Sequence, residues 1–286
     1  MEVKELCLLQ LLISEGLLRK VLTYLPLDDL SSFTQAYPFI SQDTFIKKLV
    51  EKIVHVTGSI ELFGSLKNRS WRSILTHISK NYKKQDFFLP RTANSFGLGY
   101  SNSLFINQNT NRNTRLVAKS IYPFEAADRM VCYCKSHGKY AILRTPLFYF
   151  EVEILPNASS HVIDEMIISI GFVSSKDYNE KRHVGWEGNS IGFHSDDGRV
   201  FKNSGMGEEF DRPYTSGDVI GAAFDVVKRA AFFTRNGKIV LNRMFYNLGF
   251  EQAYPAIGFS TCYSARVNFG EKPFLFDVFG YIENTK

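Results

Sequence analysis

From Leu6 to about Tyr82 the apolar residues recur at intervals of three and four: Leu17, Leu18, Val21, Leu22 and Leu25, then Leu30 and Phe33, then Phe45, Ile46, Leu49 and Ile53, and lastly Trp71, Ile74, Leu75 and Ile78. That is the spacing of one face of a helix, so the pattern predicts a series of short amphipathic helices. Pro26 ends the first, Asp28 or Asp29 can cap the next, and Pro38 interrupts the pattern before Phe45. Beyond residue 85 the period becomes two and turn signals come at short intervals, predicting strands over 141–143, 147–154, 166–172, 190–194, 219–226, 231–234, 238–241, 255–259 and 266–269. Asn236-Gly237 is the clearest two-residue hairpin turn, and Asp197-Gly198 is expected to close a second one after a half-buried strand over 190–194. Many short strands with no helices between them predict an antiparallel β-sandwich. The fold class is therefore α+β: an all-helical region over 1–85, a connecting, loop-rich segment over 86–138 in which the Asn-, Ser- and Thr-rich residues 94–115 read as loop or extended chain, and a sandwich over 139–286.

Composition strengthens the β assignment, because 25 Phe and 14 Tyr suit the pleated, half-buried surface of strands. A net charge of +5, with acids and bases interleaved through most of the chain, selects no partner class. Residues 46–85 are the exception, with nine Lys or Arg against Glu51 and Glu61; this bias reads first as the solvated outer face of the helices, though nucleic acid or an acidic partner surface could exploit it. Cys7 and Cys262 are isolated and Cys132 and Cys134 stand too close to pair, which fits a reducing compartment, cytoplasmic or nuclear. The apolar run from Leu6 to Ile13 is far short of the roughly 20 residues that cross a bilayer and lacks a cleavage site, so neither a membrane span nor a signal peptide is expected.

Candidate chemistry is sparse. Cys132-x-Cys134-x2-His137 lacks both the usual first spacing and the fourth ligand of a structural zinc site. His194 and Asp196 share a strand face beside a turn, where Asp commonly bonds its own backbone, and no nucleophile elbow accompanies them. Gly185 and Gly188 precede no helix start, and Gly205-x-Gly207 leads into Glu208 and Glu209, which would repel a phosphate. The expectation is a chain with no catalytic residues, no metal and no cofactor.

Residues 139–278 resemble a SPRY domain of the Ran-binding-protein type. The resemblance rests on Phe148-Tyr-Phe-Glu-Val-Glu-Ile154, Ile168-Ser-Ile-Gly-Phe172, Gly185-Trp186, the run from Ser190 to Gly198, Gly217-Asp-Val-Ile-Gly221, Phe232-Phe-Thr-Arg-Asn-Gly237, Tyr254-Pro-Ala-Ile-Gly258, Val267-Asn-Phe-Gly270 and Pro273-Phe-Leu-Phe-Asp277, in that order. It implies a bent sandwich of two antiparallel sheets that binds short segments of partner proteins through loops at one edge. Aromatic and polar loop residues that the scaffold does not need are then the expected contacts. They are Tyr178, Arg182, Trp186 and Asn189 before the signature strand, and Tyr122, Phe124, Arg129 and Tyr133 in a second variable loop. Trp186 reads equally as a structural aromatic packed over the sandwich edge, and Arg182 and His183 read first as solvated residues.

Residues 14–30 resemble an F-box, on Leu25-Pro26-Leu27 and Asp29-Leu30. Two positions depart from that pattern: Ile13-Ser14 replaces the opening Leu-Pro, and Ile40 stands where an aromatic is expected. The resemblance implies that residues 13–40 dock on a Skp-type adaptor and through it on a cullin scaffold, with Leu17, Leu18, Val21, Leu25, Pro26 and Leu30 as contacts. The chain would then be the substrate-recognition subunit of a ubiquitin ligase. The alternative is a free-standing SPRY scaffold whose helices complete its core.

Overall fold

The structure is a computed structural model that describes Asp29 and residues 43–82, 85, 87–88, 96–99, 103–106, 115–125, 129–155, 167–250, 252–260 and 264–285. Apart from Asp29, the F-box-like stretch lies outside these residues, as do Leu17, Leu18, Val21, Leu25, Pro26 and Leu30. In chain order the elements are α1 (Asp43–Ile53), β1 (Ser59–Leu62), a 3₁₀ turn (Gly64–Leu66), α2 (Trp71–Asn81), β2 (Phe87–Phe88), β3 (Phe96–Gly99), β4 (Ser103–Ile106), β5 (Arg115–Ser120), β6 (Met130–Ser136), β7 (Lys139–Arg144) and β8 (Leu147–Leu155). They continue with β9 (Ile167–Val173), β10 (Ser190–His194), β11 (Arg199–Lys202), β12 (Glu208–Glu209), β13 (Val219–Asp225), β14 (Ala230–Arg235), β15 (Lys238–Ile239), a second 3₁₀ turn (Val240–Asn242), β16 (Tyr254–Ser260), β17 (Ser264–Asn268) and α3 (Val278–Asn284). No helix among the described residues is long and apolar enough to cross a membrane.

Two compact units result, and the first takes in residues 1–82 together with 130–132 and 138–143. Its helices follow the expected spacing: Ile46, Leu49 and Val50 of α1 and Ile74, Leu75 and Ile78 of α2 share one buried cluster. Ser70 caps α2, its hydroxyl accepting from the Ser73 N–H at 3.3 Å. The all-helical expectation needs correction, because β1 runs parallel to β7, with Ile60 opposite Tyr140 and Leu62 opposite Ile142. Ile60 and Ile142 join the same cluster, so the strand supplies apolar surface that the two helices alone lack.

The second unit holds two seven-stranded sheets, one in the order β12-β11-β10-β9-β16-β5-β2 and the other β15-β14-β13-β8-β17-β4-β3. Every pairing within them is antiparallel. Aromatic rings join the inner faces: Phe172 of the first sheet lies 5.7 Å from Phe150 and 5.6 Å from Phe224 of the second, and Phe193 lies 5.8 Å from Phe233.

Four expectations change here. β3 and β4 form a hairpin inside residues 94–115, where loop or extended chain was expected; the polar residues around these short strands conceal them, and backbone pairing of β4 with β17 joins the hairpin to the sheet. The link from β10 to β11 is not a two-residue turn at Asp197-Gly198, since the register puts Phe193 opposite Val200 and only Gly198 of that turn has a positive φ, +68°. Asn236-Gly237, in contrast, has φ values of +50° and +79° and joins Arg235 directly to Lys238, as a two-residue hairpin requires. The strand expected over 238–241 stops at Ile239, because Leu241 and Asn242 adopt φ values of +52° and +47°. Finally, 190–194 is buried at all five positions rather than on one face.

The residues after β17 form a strap. The Glu151 carboxylate, 4% exposed, accepts the Leu275 and Phe276 N–H groups at 3.0 Å each and the Tyr149 hydroxyl at 2.9 Å. Phe274 packs edge-on to Tyr149 at 4.9 Å, and Phe276 lies 5.8 Å from Phe232, so the strap seals part of the second sheet.

Candidate functional site

The long loop between β9 and β10 turns back over its own sheet, which explains the complete burial of β10. Gly192 has no side chain because a Cβ there would lie 2.2 Å from the Val184 carbonyl oxygen. The returning segment is held on both sides. The His194 Nε2 donates to that carbonyl at 2.8 Å, the Val184 N–H donates to Ser169 Oγ at 3.1 Å, and the Gly185 N–H donates to Ser190 Oγ at 2.9 Å. A carbonyl oxygen can only accept, so the His194 proton sits on Nε2. Burial pushes this imidazole down to about 4, outweighing the Val184 hydrogen bond and the Asp197 charge, so the ring is neutral at physiological pH. His194 thus acts as a strut and has no access to a substrate.

Trp186 covers this segment. Its ring stands 5.0 Å from His183, 5.9 Å from His194 and 6.4 Å from Phe201, and it is half-buried. The start of the loop is pinned from beneath by Lys119, which is 3% exposed. Its ammonium donates to the Lys176 and Tyr178 carbonyls, the latter at 3.0 Å, and lies 3.9 Å from the Glu180 carboxylate. Burial lowers the Lys119 pKa, and Glu180 and Asp177 oppose that shift. The Tyr178 hydroxyl closes the loop across its neck by donating to the His183 carbonyl at 2.6 Å.

Three further segments are held in place by hydrogen bonds of their own. The 121–125 segment bridges to 252–253 through the Phe124 N–H and the Ala253 carbonyl at 2.7 Å, with the reciprocal bond at 3.0 Å. The 203–207 loop is tied in by Asn203 Oδ1, which accepts the Ser190 N–H at 2.6 Å, and by the Ser204 N–H, which donates to the Gly185 carbonyl at 3.1 Å. The segment after the second 3₁₀ turn is tethered by the Lys202 ammonium, which donates to the Tyr246 carbonyl at 2.8 Å. Where the β9–β10 loop, the 121–125 and 252–253 segments and the segment after the second 3₁₀ turn come together lies a groove of about 610 Å³ lined by Glu125, Ser174, Gly249, Phe250 and Gln252. Asn189 stands beside it, its Oδ1 at 3.4 Å from where a Gly249 side chain would begin. A carboxylate, a hydroxyl, an amide and a bare stretch of backbone line the opening. Phe250 is buried and stacked 5.4 Å from Phe224. Such a lining can hydrogen-bond an extended chain, and it places no acid–base pair or nucleophile in reach of one another.

The expected contact residues divide. Asn189 and Arg182 are exposed, Arg182 lying 3.6 Å from Glu187, and Tyr122 and Trp186 are half-buried. Phe124, Arg129 and Tyr178 are buried, contrary to the expectation of exposed loop residues. Phe124 stacks 4.6 Å from Phe148, and Arg129 donates to the Pro123 carbonyl at 2.8 Å, so both hold a loop from inside. Tyr133 is not in a loop at all; it lies on β6, with its hydroxyl accepting the Tyr149 N–H at 3.3 Å. His183, expected in solvent, is 1% exposed and lies 3.0 Å from Ser169 Oγ. The sequence reading missed Glu125, Ser174, Gly249, Phe250 and Gln252; the one local signal was Asn247-Leu-Gly249, a turn in which Asn247 has φ +56°.

Other chemistry is quiet. Among the described residues no group of three His, Cys, Asp or Glu could hold a metal, and Cys134 Sγ donates to the Ser136 carbonyl at 3.1 Å. A second opening, about 540 Å³, lies beside β11 and β12 and is lined by Asp197, Arg199, Glu209, Phe210, Asp211 and Leu241. Two of its carboxylates already face cations, Glu209 at 3.8 Å from Arg199 and Asp211 at 3.2 Å from Arg235.

The SPRY domain family model matches residues 147–272, which carry strands β8 to β17 and the loop between β9 and β10. Those residues are a SPRY domain. Over 141 residues the chain is 36% identical to Ran-binding protein 9 of Xenopus tropicalis, covering 49% of this chain and 24% of that protein. It is 34% identical over 141 residues to Ran-binding protein 9 of Homo sapiens, covering 49% and 18%. With the Ran-binding protein M homolog of Arabidopsis thaliana it shares 33% over 145 residues, covering 50% and 29%. The likeness thus spans about a quarter of the relatives' own length. SPRY domains are protein-interaction modules, and the groove between loops is where this one presents polar groups on a fixed frame.

Proposed function

We propose that this chain is a protein-interaction adaptor whose SPRY domain holds a short, extended segment of a target protein in the groove of Glu125, Ser174, Gly249, Phe250 and Gln252, with Asn189 at the rim. The observation that carries this reading is the fixing of the rim loops by buried groups, Lys119, Arg129 and Tyr178, beneath an opening lined with hydrogen-bonding side chains. Loops already ordered lose little freedom on binding, which leaves more of the contact energy as affinity. A short-peptide array probed with the full chain, followed by titration of the strongest peptide, tests it. Asn189→Ala with Gln252→Ala should weaken binding by more than about tenfold, since single contacts at such sites contribute on the order of 2 kcal/mol. Unchanged affinity would place the site elsewhere.

The F-box-like residues 14–30 support a further step, in which Leu17, Leu18, Val21, Leu25, Pro26 and Leu30 dock on a Skp-type adaptor and the SPRY domain selects the protein to be ubiquitinated. A pull-down with the intact chain that recovers no such adaptor, while a known F-box protein does, sinks this step and leaves the groove untouched. The second reading, a free-standing scaffold, is favoured by the composition of the first unit, which draws residues 138–143 in with the N-terminal ones. Under it, removing residues 1–85 unfolds the remainder; under the ligase reading a folded SPRY fragment survives that truncation.

A further inference from the structure

One stretch of the chain is strongly basic. Residues 46–85 hold nine Lys or Arg against two carboxylates, a balance of +7, whereas the whole chain balances at +5, so everything outside this stretch sums to −2. From residue 62 to residue 85 there is no Asp or Glu at all.

The fold gathers part of this charge around the start of α2. Lys67, Asn68, Arg69 and Ser70 are all exposed in the turn that leads into the helix, which the Arg69 N–H closes by donating to the Leu66 carbonyl at 2.8 Å. Arg72 follows in the first turn of α2. Lys47 reaches across from α1, its ammonium 5.5 Å from the Trp71 ring centroid, and the Lys67 ammonium stands 5.5 Å from the Phe63 ring centroid. Lys47 and Lys67 are therefore placed by aromatic rings. The first turn of α2 contains no acid, although that end of a helix dipole favours carboxylates over cations. A negative partner is therefore favoured beside the exposed Lys67 and Arg69 at this end of the helix.

Two features choose between negative partners. A protein that grips a nucleic-acid duplex through about 6–10 phosphate contacts needs more cations than Lys47, Lys67 and Arg69 supply. Single strands need aromatic platforms for their bases, yet Phe63 is buried and Trp71 is half-buried with Lys47 over its ring. A short run of carboxylates fits the size and chemistry of the surface better. We propose that the surface of Lys47, Lys67 and Arg69 docks an acidic segment of a partner protein, separately from the SPRY groove.

The test uses the full chain and a fluorescein-labelled peptide of about ten residues, rich in Glu, read by anisotropy at about 50 and about 200 mM salt. The peptide should bind at the lower salt, weaken at the higher, and lose at least about tenfold in affinity in the variant Lys67→Glu with Arg69→Glu. Both residues are exposed, so the melting midpoint should not move. If it does, Lys67→Gln with Arg69→Gln replaces the reversal and should weaken binding in the same direction. No binding by the wild type, or equal binding by wild type and variant, overturns the proposal. So does a single-stranded oligonucleotide of equal charge that binds more tightly than the peptide and is lost with the same substitutions.

Discussion

The Lys119 ammonium donates to the Tyr178 carbonyl at 3.0 Å, joining a strand of one sheet to the loop that rims the groove. A buried cation held by carbonyl oxygens is a fixed post for a loop that would otherwise be free at its start. Lys119→Met keeps the stem and removes the post, leaving the Lys176 and Tyr178 carbonyls without their donor. Stability should fall by about 1–3 kcal/mol. Amide exchange over 174–189 should rise well before exchange in β8 and β9; uniform protection in the variant would show that the loop is held by other means.

The histidine strut makes stability depend on pH. The His194 pKa is about 4 in the folded chain and 6.5 in its ordinary state, so the unfolded chain binds the proton more readily. The contribution is fully present above about pH 6.5 and is lost as the pH falls toward 4, with a slope of up to about 1.4 kcal/mol per pH unit. Urea unfolding of the wild type and His194→Leu from pH 7.5 to 4.5 should show their difference in stability shrinking with falling pH. A constant difference would mean that the imidazole is not buried neutral.

Gly192 and Gly205 offer a paired test of the returning loop. Gly192→Ala forces a Cβ to 2.2 Å from the Val184 carbonyl oxygen, whereas nothing lies within 4 Å of a Cβ at Gly205. The first substitution should cost about 3 kcal/mol, and Gly205→Ala should stay within about 0.5 kcal/mol. Chemical denaturation of the two variants side by side decides it.

Glu151 anchors the strap, and its loss frees three donors at once. Burial raises its carboxyl pKa, while the Phe276 and Leu275 N–H groups and the Tyr149 hydroxyl pull it back. Glu151→Ala should destabilise the chain by about 2 kcal/mol or more. Protease should also cut within 271–285 faster than in the wild type, and an unchanged cleavage rate would assign the strap's hold to Phe274 and Phe276 alone.

What the sequence disclosed depended on whether the deciding interaction was local. The Asn236-Gly237 hairpin was legible because two adjacent residues with positive φ carry the whole signal, and α2 because Trp71, Ile74, Leu75 and Ile78 repeat on one face. β1 was hidden, since its four residues pair with a strand far along the chain. Phe124 and Tyr178 were misjudged as exposed because an aromatic in a loop carries no mark of which way it packs. The groove was beyond reach for a related reason: Glu125, Ser174 and Gly249 come from separate loops and have meaning only once the sandwich brings them together.

The sheet order also governs how the chain is made. β16 lies between β9 and β5, and β17 lies between β8 and β4, so both sheets are completed by strands that leave the ribosome long after their neighbours. Until residues 254–268 emerge, the nascent chain carries four unpaired strand borders, two of them on its most apolar strands, β8 and β9. During that interval the growing polypeptide is open to mispairing with other chains, and chaperone occupancy should peak there and fall abruptly once β17 is in place.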